Sequence, residues 1–188
     1  MNTYRFALSG LLGIFIASQA WIGAGFAAET FKIDGEKSKI DFVGKKPDGQ
    51  HKGGFKKVTG EALVDAENPE KGSIKLEIDT ESLWSDDAKL TDHLKNPDFF
   101  NVRKFPKIRF ESTKVEITGE GEGVLTGKLT LLEKTLETKV PVKAAVTDDG
   151  CIQLKATFKL DRTKWGMNYG VGKINNEVDL VADLLLKK

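Results

Sequence analysis

The sequence predicts an all-β fold: about eight antiparallel strands that close into a barrel, with one short helical insertion near residues 86–96. Three observations predict it. Apolar and polar residues alternate with a period of two through most of the chain past residue 30. Turn-forming Gly, Asn and Asp separate these runs at short intervals. Only one stretch departs from the alternation, and it has helical spacing.

In chain order, the first element is not part of the barrel. Arg5 leads an uncharged apolar run over residues 6–17, followed by small residues ending in Gly25, Ala27 and Ala28. This layout predicts a secretory signal peptide over residues 1–27, cleaved after Ala27. The apolar run is well short of the roughly 20 residues that span a bilayer. The protein expected is therefore a periplasmic or secreted domain over residues 28–188, with no stable membrane insertion after cleavage.

Strand signals then follow. Ile40 and Phe42 are spaced by two within residues 31–43, and Gly53, Gly54 and Gly60 suit a bent or bulged strand over residues 51–64. Ile74, Leu76 and Ile78 alternate with Lys75, Glu77 and Asp79. Residues 107–117 and 124–131 continue the pattern, the latter with Leu125, Gly127, Leu129 and Leu131 on one face. Val140, Val142, Ala144 and Val146 make the next dry face. Ile152, Leu154, Ala156, Phe158 and Leu160 follow after the turn at Asp148-Asp149-Gly150, and Val178, Leu180, Ala182 and Leu184 close the series. Each alternation describes a strand with one dry and one wet side, as in antiparallel sheets. Between them, Ala88, Leu90 and Leu94 lie among charged residues and Pro97 stands just beyond, which predicts two or three turns of helix. Phe99-Phe100 comes next and is expected to pack that helix onto the barrel end.

Composition narrows the function. Without Arg5 the chain carries 28 basic and 28 acidic side chains. A neutral surface argues against nucleic acid as a partner and against general adhesion to anionic lipid. Cys151 is the only cysteine, so no internal disulfide can form. His51 and His93 stand at no metal-ligand spacing, and no nucleophile elbow or phosphate-binding loop occurs. Nothing nominates a catalytic group, a metal or a cofactor. A barrel of this size either fills its interior with its own side chains or holds one small ligand, and periodicity alone leaves both open.

Five blocks in order resemble the YceI-like family. They are Phe31-Lys32-Ile33-Asp34; Gly54-Phe55-Lys56-Lys57-Val58-Thr59-Gly60 with Asp65 and Asn68-Pro69; and His93-Leu94-Lys95-Asn96-Pro97-Asp98-Phe99-Phe100-Asn101 running on through Lys104-Phe105-Pro106 to Phe110-Glu111-Ser112-Thr113. Gly127-Lys128-Leu129-Thr130-Leu131 and Arg162-Thr163-Lys164-Trp165-Gly166-Met167 complete them. The resemblance implies a lipocalin-like barrel with an apolar lumen for a polyisoprenoid or quinone-like lipid, in a monomer or homodimer. The sequence departs from the family pattern at Leu90 and Thr91, where Arg-Asp is common, and at Glu133-Lys134-Thr135-Leu136-Glu137, in place of a tight turn of the Gly-Val-Thr-Lys-Pro type. Only His51 offers itself for a histidine often found near the first strand pair.

In such a lumen Ile78, Leu129, Val142 and Phe158 are expected to face inward, each on the dry side of its own strand. His93 either hydrogen-bonds a lipid head group or pins the helix to a loop. Arg162 either meets a phosphate or quinone oxygen or pairs with a carboxylate. Phe99, Phe100 and Trp165 are core aromatics whose place overlaps with ligand contact.

Overall fold

The computed structural model describes residues 28–188, so the expected signal segment lies outside the described residues. Eleven strand segments form one continuous antiparallel sheet that closes on itself. They amount to eight courses, because the first three are each broken once. β1 (Glu29–Ile33) and β2 (Lys39–Lys46) form the first course, and both lie along the same edge of the last strand. β3 (Gly49–Phe55) and β4 (Val58–Val64) return antiparallel to them. β5 (Ser73–Asp79) and the three-residue β6 (Leu83–Ser85) form the third course. The rest is a simple meander of β7 (Lys107–Gly119), β8 (Glu122–Leu131), β9 (Lys134–Val146), β10 (Ile152–Asp161) and β11 (Glu177–Lys187). Pairing of β11 with β1 and β2 closes the ring and removes the open edges of a flat sheet.

The breaks have local causes. Gly60 has φ +152°, and a Cβ there would lie 2.1 Å from the carbonyl oxygen of Lys75, so only glycine lets β4 come this close to β5. In β7 the pairing with β8 slips between Ser112 and Lys114, a bulge at Thr113 that alternation does not reveal. The ladder between β9 and β10 runs from Val146 to Val142 and stops there. The next residue, Pro141, has no N–H to offer, and beyond it Thr157, Phe158 and Lys159 pair only with β11.

The helix α1 spans Ala88–Lys95, within the stretch expected from sequence. The carboxylate of Asp87 caps it, accepting from Leu90 N at 2.7 Å, and the helix stops at Asn96 before Pro97. Among the described residues β6 has no strand on its far side, and the segment 86–106 fills that place. Phe100 meets Phe55 edge-on at 5.4 Å between ring centroids, which seats this segment on the barrel as expected.

Two expectations need correction. β9 begins at Lys134, six residues before the alternation signals it, and the turn before it is only Leu132-Glu133, with Leu132 at φ +54°. Its last residues also leave the lumen: Ala144 is exposed and Val146 is 75% exposed, because the β9–β10 hairpin extends past the packed end of the barrel.

Candidate functional site: the barrel lumen

The inner faces of the courses meet in layers. Val58, Ile78 and Ile108 lie side by side on β4, β5 and β7, each nearly or wholly buried. Towards the end where the chain enters and leaves the barrel, Phe31, Ile33, Ala62, Ile74 and Leu186 are packed tight. That end is a solid core. Between these residues and the α1 end the packing changes. Phe42, Leu76, Phe100, Leu129, Val142, Leu154, Phe158 and Leu180 face inward but are only half-buried. An apolar side chain that points inward yet stays accessible lines a void. The void is a cavity of about 250 Å³ with an almost wholly apolar wall. The lumen is therefore open, which decides the alternative that alternation left unresolved.

The cavity exists because one row of the wall is small. Val142 pairs with Ala156, Ala156 with Ala182, and Ala182 with Ile40, so three adjacent strands present Val, Ala and Ala at one height. Larger residues there would enter the space that Phe42, Phe100 and Phe158 also line. On β10 the lining runs from Leu154 to Leu160, roughly 20 Å along the strand at the usual rise per residue. An extended hydrocarbon chain fits that shape better than a compact ligand.

Polar groups enter the wall only at the α1 end, as Lys45, Lys46, His51 and Arg162. All are basic. Lys45 pairs with Asp179 at 2.5 Å and Lys46 with Asp48 at 3.6 Å. His51 Nδ1 lies 2.9 Å from Asp86 Oδ1, while Asp86 Oδ2 accepts from the backbone N–H of Lys52 at 2.8 Å. The Lys52 N–H first, and then His51, hold the Asp86 carboxyl below its ordinary value. A group with a lowered folded-state value stabilises the fold above the ordinary carboxylate range, and that contribution is lost as pH falls through the lowered value. The tie between β3 and the start of the helical segment should thus hold through the ordinary carboxylate range and open only as pH falls below it. Amide exchange at Lys52 measures it: protection should fall at the lower pH and should stay unchanged in Asp86→Asn.

Arg162 is the most deeply buried charged residue among the described residues, 3% exposed. Its Nε donates to Asn175 O at 3.1 Å. Nη1 donates to Met167 O at 2.6 Å and Tyr169 O at 2.9 Å, and Nη2 donates to Ile174 O at 3.3 Å. Burial pushes its pKa down, yet a guanidinium stays cationic. The carboxylate pairing expected as one alternative for Arg162 is not formed: its partners are four carbonyls of the following loop. They account for four of its five N–H donors.

The other expected residues divide clearly. Ile78, Phe99, Phe100, Leu129, Val142, Phe158 and Arg162 lie on the cavity wall. His93 and Trp165 lie outside it. His93 Nε2 is 2.9 Å from Asp98 Oδ2, and its ring meets Phe99 and Tyr169 edge-on at 5.1 and 4.8 Å, so it joins the helix to two loops. Trp165 is buried, with Nε1 donating to Leu129 O at 3.1 Å. Sequence reasoning passed over Phe42, Leu90, Met167 and Ile174 as wall residues. Phe42 was visible in the alternation of the first course. Met167 and Ile174 lie in a loop without periodicity, so no pattern marked them.

A family profile described as the YceI-like domain matches residues 31–186. A UPF0312 protein of Ectopseudomonas mendocina is 33% identical over 127 residues, 66% of this chain and 66% of that protein. One of Pseudomonas putida strain W619 is 40% identical over 79 residues, so the match spans 42% of this chain and 41% of the relative's length. Among solved structures, BcnA of Burkholderia cenocepacia superposes with a TM-score of 0.75 at 25% identity, covering 81% of this chain and 98% of that one. A polyisoprenoid binding domain from Saccharophagus degradans, implicated in plant cell wall breakdown, superposes at 0.62 with 12% identity, covering 84% and 97%. The Campylobacter jejuni YCEI protein does so at 0.63 with 20% identity, covering 72% and 84%. The last two share the fold. With its profile match running through nearly all of the described residues, this chain belongs to the YceI-like domain family.

Proposed function

We propose that the protein is an exported binding protein that holds one isoprenoid or quinone-like lipid chain in its lumen, as a carrier, store or sequestering agent. The observation that carries this reading is the open apolar cavity with its wall of half-buried aliphatic and aromatic side chains. Such a wall offers a hydrocarbon chain what water cannot, roughly 0.8 kcal/mol for each CH₂ buried, less the ordering of a flexible chain. Basic groups gathered at one end suit a ligand with one polar terminus and a long apolar remainder. The polyisoprenoid binding domain of Saccharophagus degradans, which shares the fold, supports an isoprenoid as that chain. The Arg5-led apolar run supports action outside the cytoplasm.

A ligand that binds only the folded state raises the melting temperature. Protein stripped of lipid should melt several degrees higher with a polyprenol at about 100 times its Kd. It should be unmoved by zinc or a nicotinamide dinucleotide. A shift with those and none with any polyprenol or quinone would overturn the reading. Export has its own check: N-terminal sequencing of the protein recovered outside the cytoplasm should begin at Ala28.

A further inference from the structure

We infer that the loop over residues 167–174 docks the barrel reversibly on an anionic bilayer surface, where the lumen exchanges its lipid; the inference rests on the lipid-binding reading. The two faces of this loop differ. Met167 and Ile174 line the cavity. Tyr169 and Val171 do not line it and are 46% and 53% exposed, the Tyr169 ring resting with one edge on His93 and Phe99. Val171 sits between Gly170 at φ +67° and Gly172 at φ +85°, and Gly170 O accepts from Lys173 N at 2.9 Å and from Ile174 N at 2.7 Å. A tight turn therefore presents an apolar tip to solvent. Its base is held by the Arg162 guanidinium through the carbonyls of Met167, Tyr169 and Ile174.

Charge identifies the occupant. From residue 162 to 176 the chain contains Arg162, Lys164 and Lys173 and no acidic residue. Lys164 and Lys173 make no ion pair among the described residues. Lys134, equally without one, reaches the same place, its Nζ donating to Lys164 O at 3.1 Å. The two flanking carboxylates are engaged elsewhere: Asp161 accepts from Thr163 N and Oγ1, and Glu177 pairs with Lys159 at 3.5 Å. Overall neutrality conceals this local excess of positive charge. An apolar tip carrying a tyrosine, on a loop whose Lys164 and Lys173 make no ion pair among the described residues, matches the interface of an anionic membrane. Two apolar side chains give contact and release rather than anchorage. The wall of the lipid cavity is the other side of the same loop, so contact occurs where the chain must enter.

The test uses protein expressed from the full chain and two variants, Tyr169→Ser/Val171→Asp and Lys164→Glu/Lys173→Glu. Wild type should float with vesicles containing phosphatidylglycerol and not with pure phosphatidylcholine. Both variants should lose flotation and take up polyprenol from the anionic vesicles about tenfold more slowly. Both should hold as much polyprenol as wild type when loaded from detergent, since none of the four residues lines the cavity. Unchanged flotation and uptake in both variants would overturn the inference, as would a wild type that never floats. A wild-type dimer abolished by Tyr169→Ser/Val171→Asp, with flotation unaffected, would assign the tip to a second copy and overturn it too. If wild type floats but accepts no polyprenol even from detergent, the lipid reading fails while docking stands.

Discussion

Replacing Val142 and Ala182 together by phenylalanine is expected to give a folded barrel that no longer holds lipid. Both residues lie in the row of small side chains, one on each side of Ala156, and both face the cavity. Added volume in a packed core forces strain of about 1–3 kcal/mol. Here the new rings enter empty space and fill it, so the cost should lie at or below the low end of that range. Far-ultraviolet circular dichroism should match wild type. Occupancy by a polyprenol should fall to less than about a tenth of wild type, because the chain and the two rings compete for one volume. A variant that folds and keeps its lipid would show that the chain does not pass this row.

Arg162→Met is the second substitution with a large expected effect. The methionine covers similar apolar area but cannot donate, so the carbonyls of Met167, Tyr169, Ile174 and Asn175 lose their shared partner. Charge-assisted hydrogen bonds are worth about 1.5–3 kcal/mol each, and water at the loop recovers part of the loss, so the expected cost is about 3 kcal/mol. For a domain of this size that lowers Tm by about 6–12 °C. Arg162→Lys should recover little, because an ammonium cannot fork to carbonyls on both sides of the loop. Amide exchange should quicken first in residues 167–176. A Tm within about a degree of wild type would mean the carbonyls find other partners.

The sequence made the barrel legible because one face of nearly every course is dry and the other wet. Ile152 to Leu160 shows the alternation plainly, and it lies within one unbroken ten-residue strand, Ile152–Asp161. The breaks were not legible. β6 has three residues, too few for a period, and the bulge at Thr113 follows from pairing across to β8. The start of β9 was hidden because Lys134, Thr135 and Glu137 have no apolar alternation to show. Within the site, inward-facing residues on strands were predictable one by one, as Ile78, Leu129, Val142 and Phe158 illustrate. Whether they meet or leave room between them depends on which residues share a height. Val142, Ala156 and Ala182 are far apart in sequence, and only the strand register brings them into one row. The same holds for His51 and Asp86, which are 35 residues apart. For Arg162 and His93 the residue type offered two roles, and neighbours contributed by other elements decide between them.

The most direct measurement is native mass spectrometry of the protein recovered from its own host without detergent, beside the Val142→Phe/Ala182→Phe variant prepared identically. A lumen that holds a lipid chain should give wild-type ions carrying one discrete added mass. Collisional release and organic extraction should identify that mass as a single isoprenoid or quinone-like lipid, and the variant should show only the bare protein. Bare protein alone in both samples, with no mass gained after incubation with polyprenol, would contradict a lipid-holding lumen.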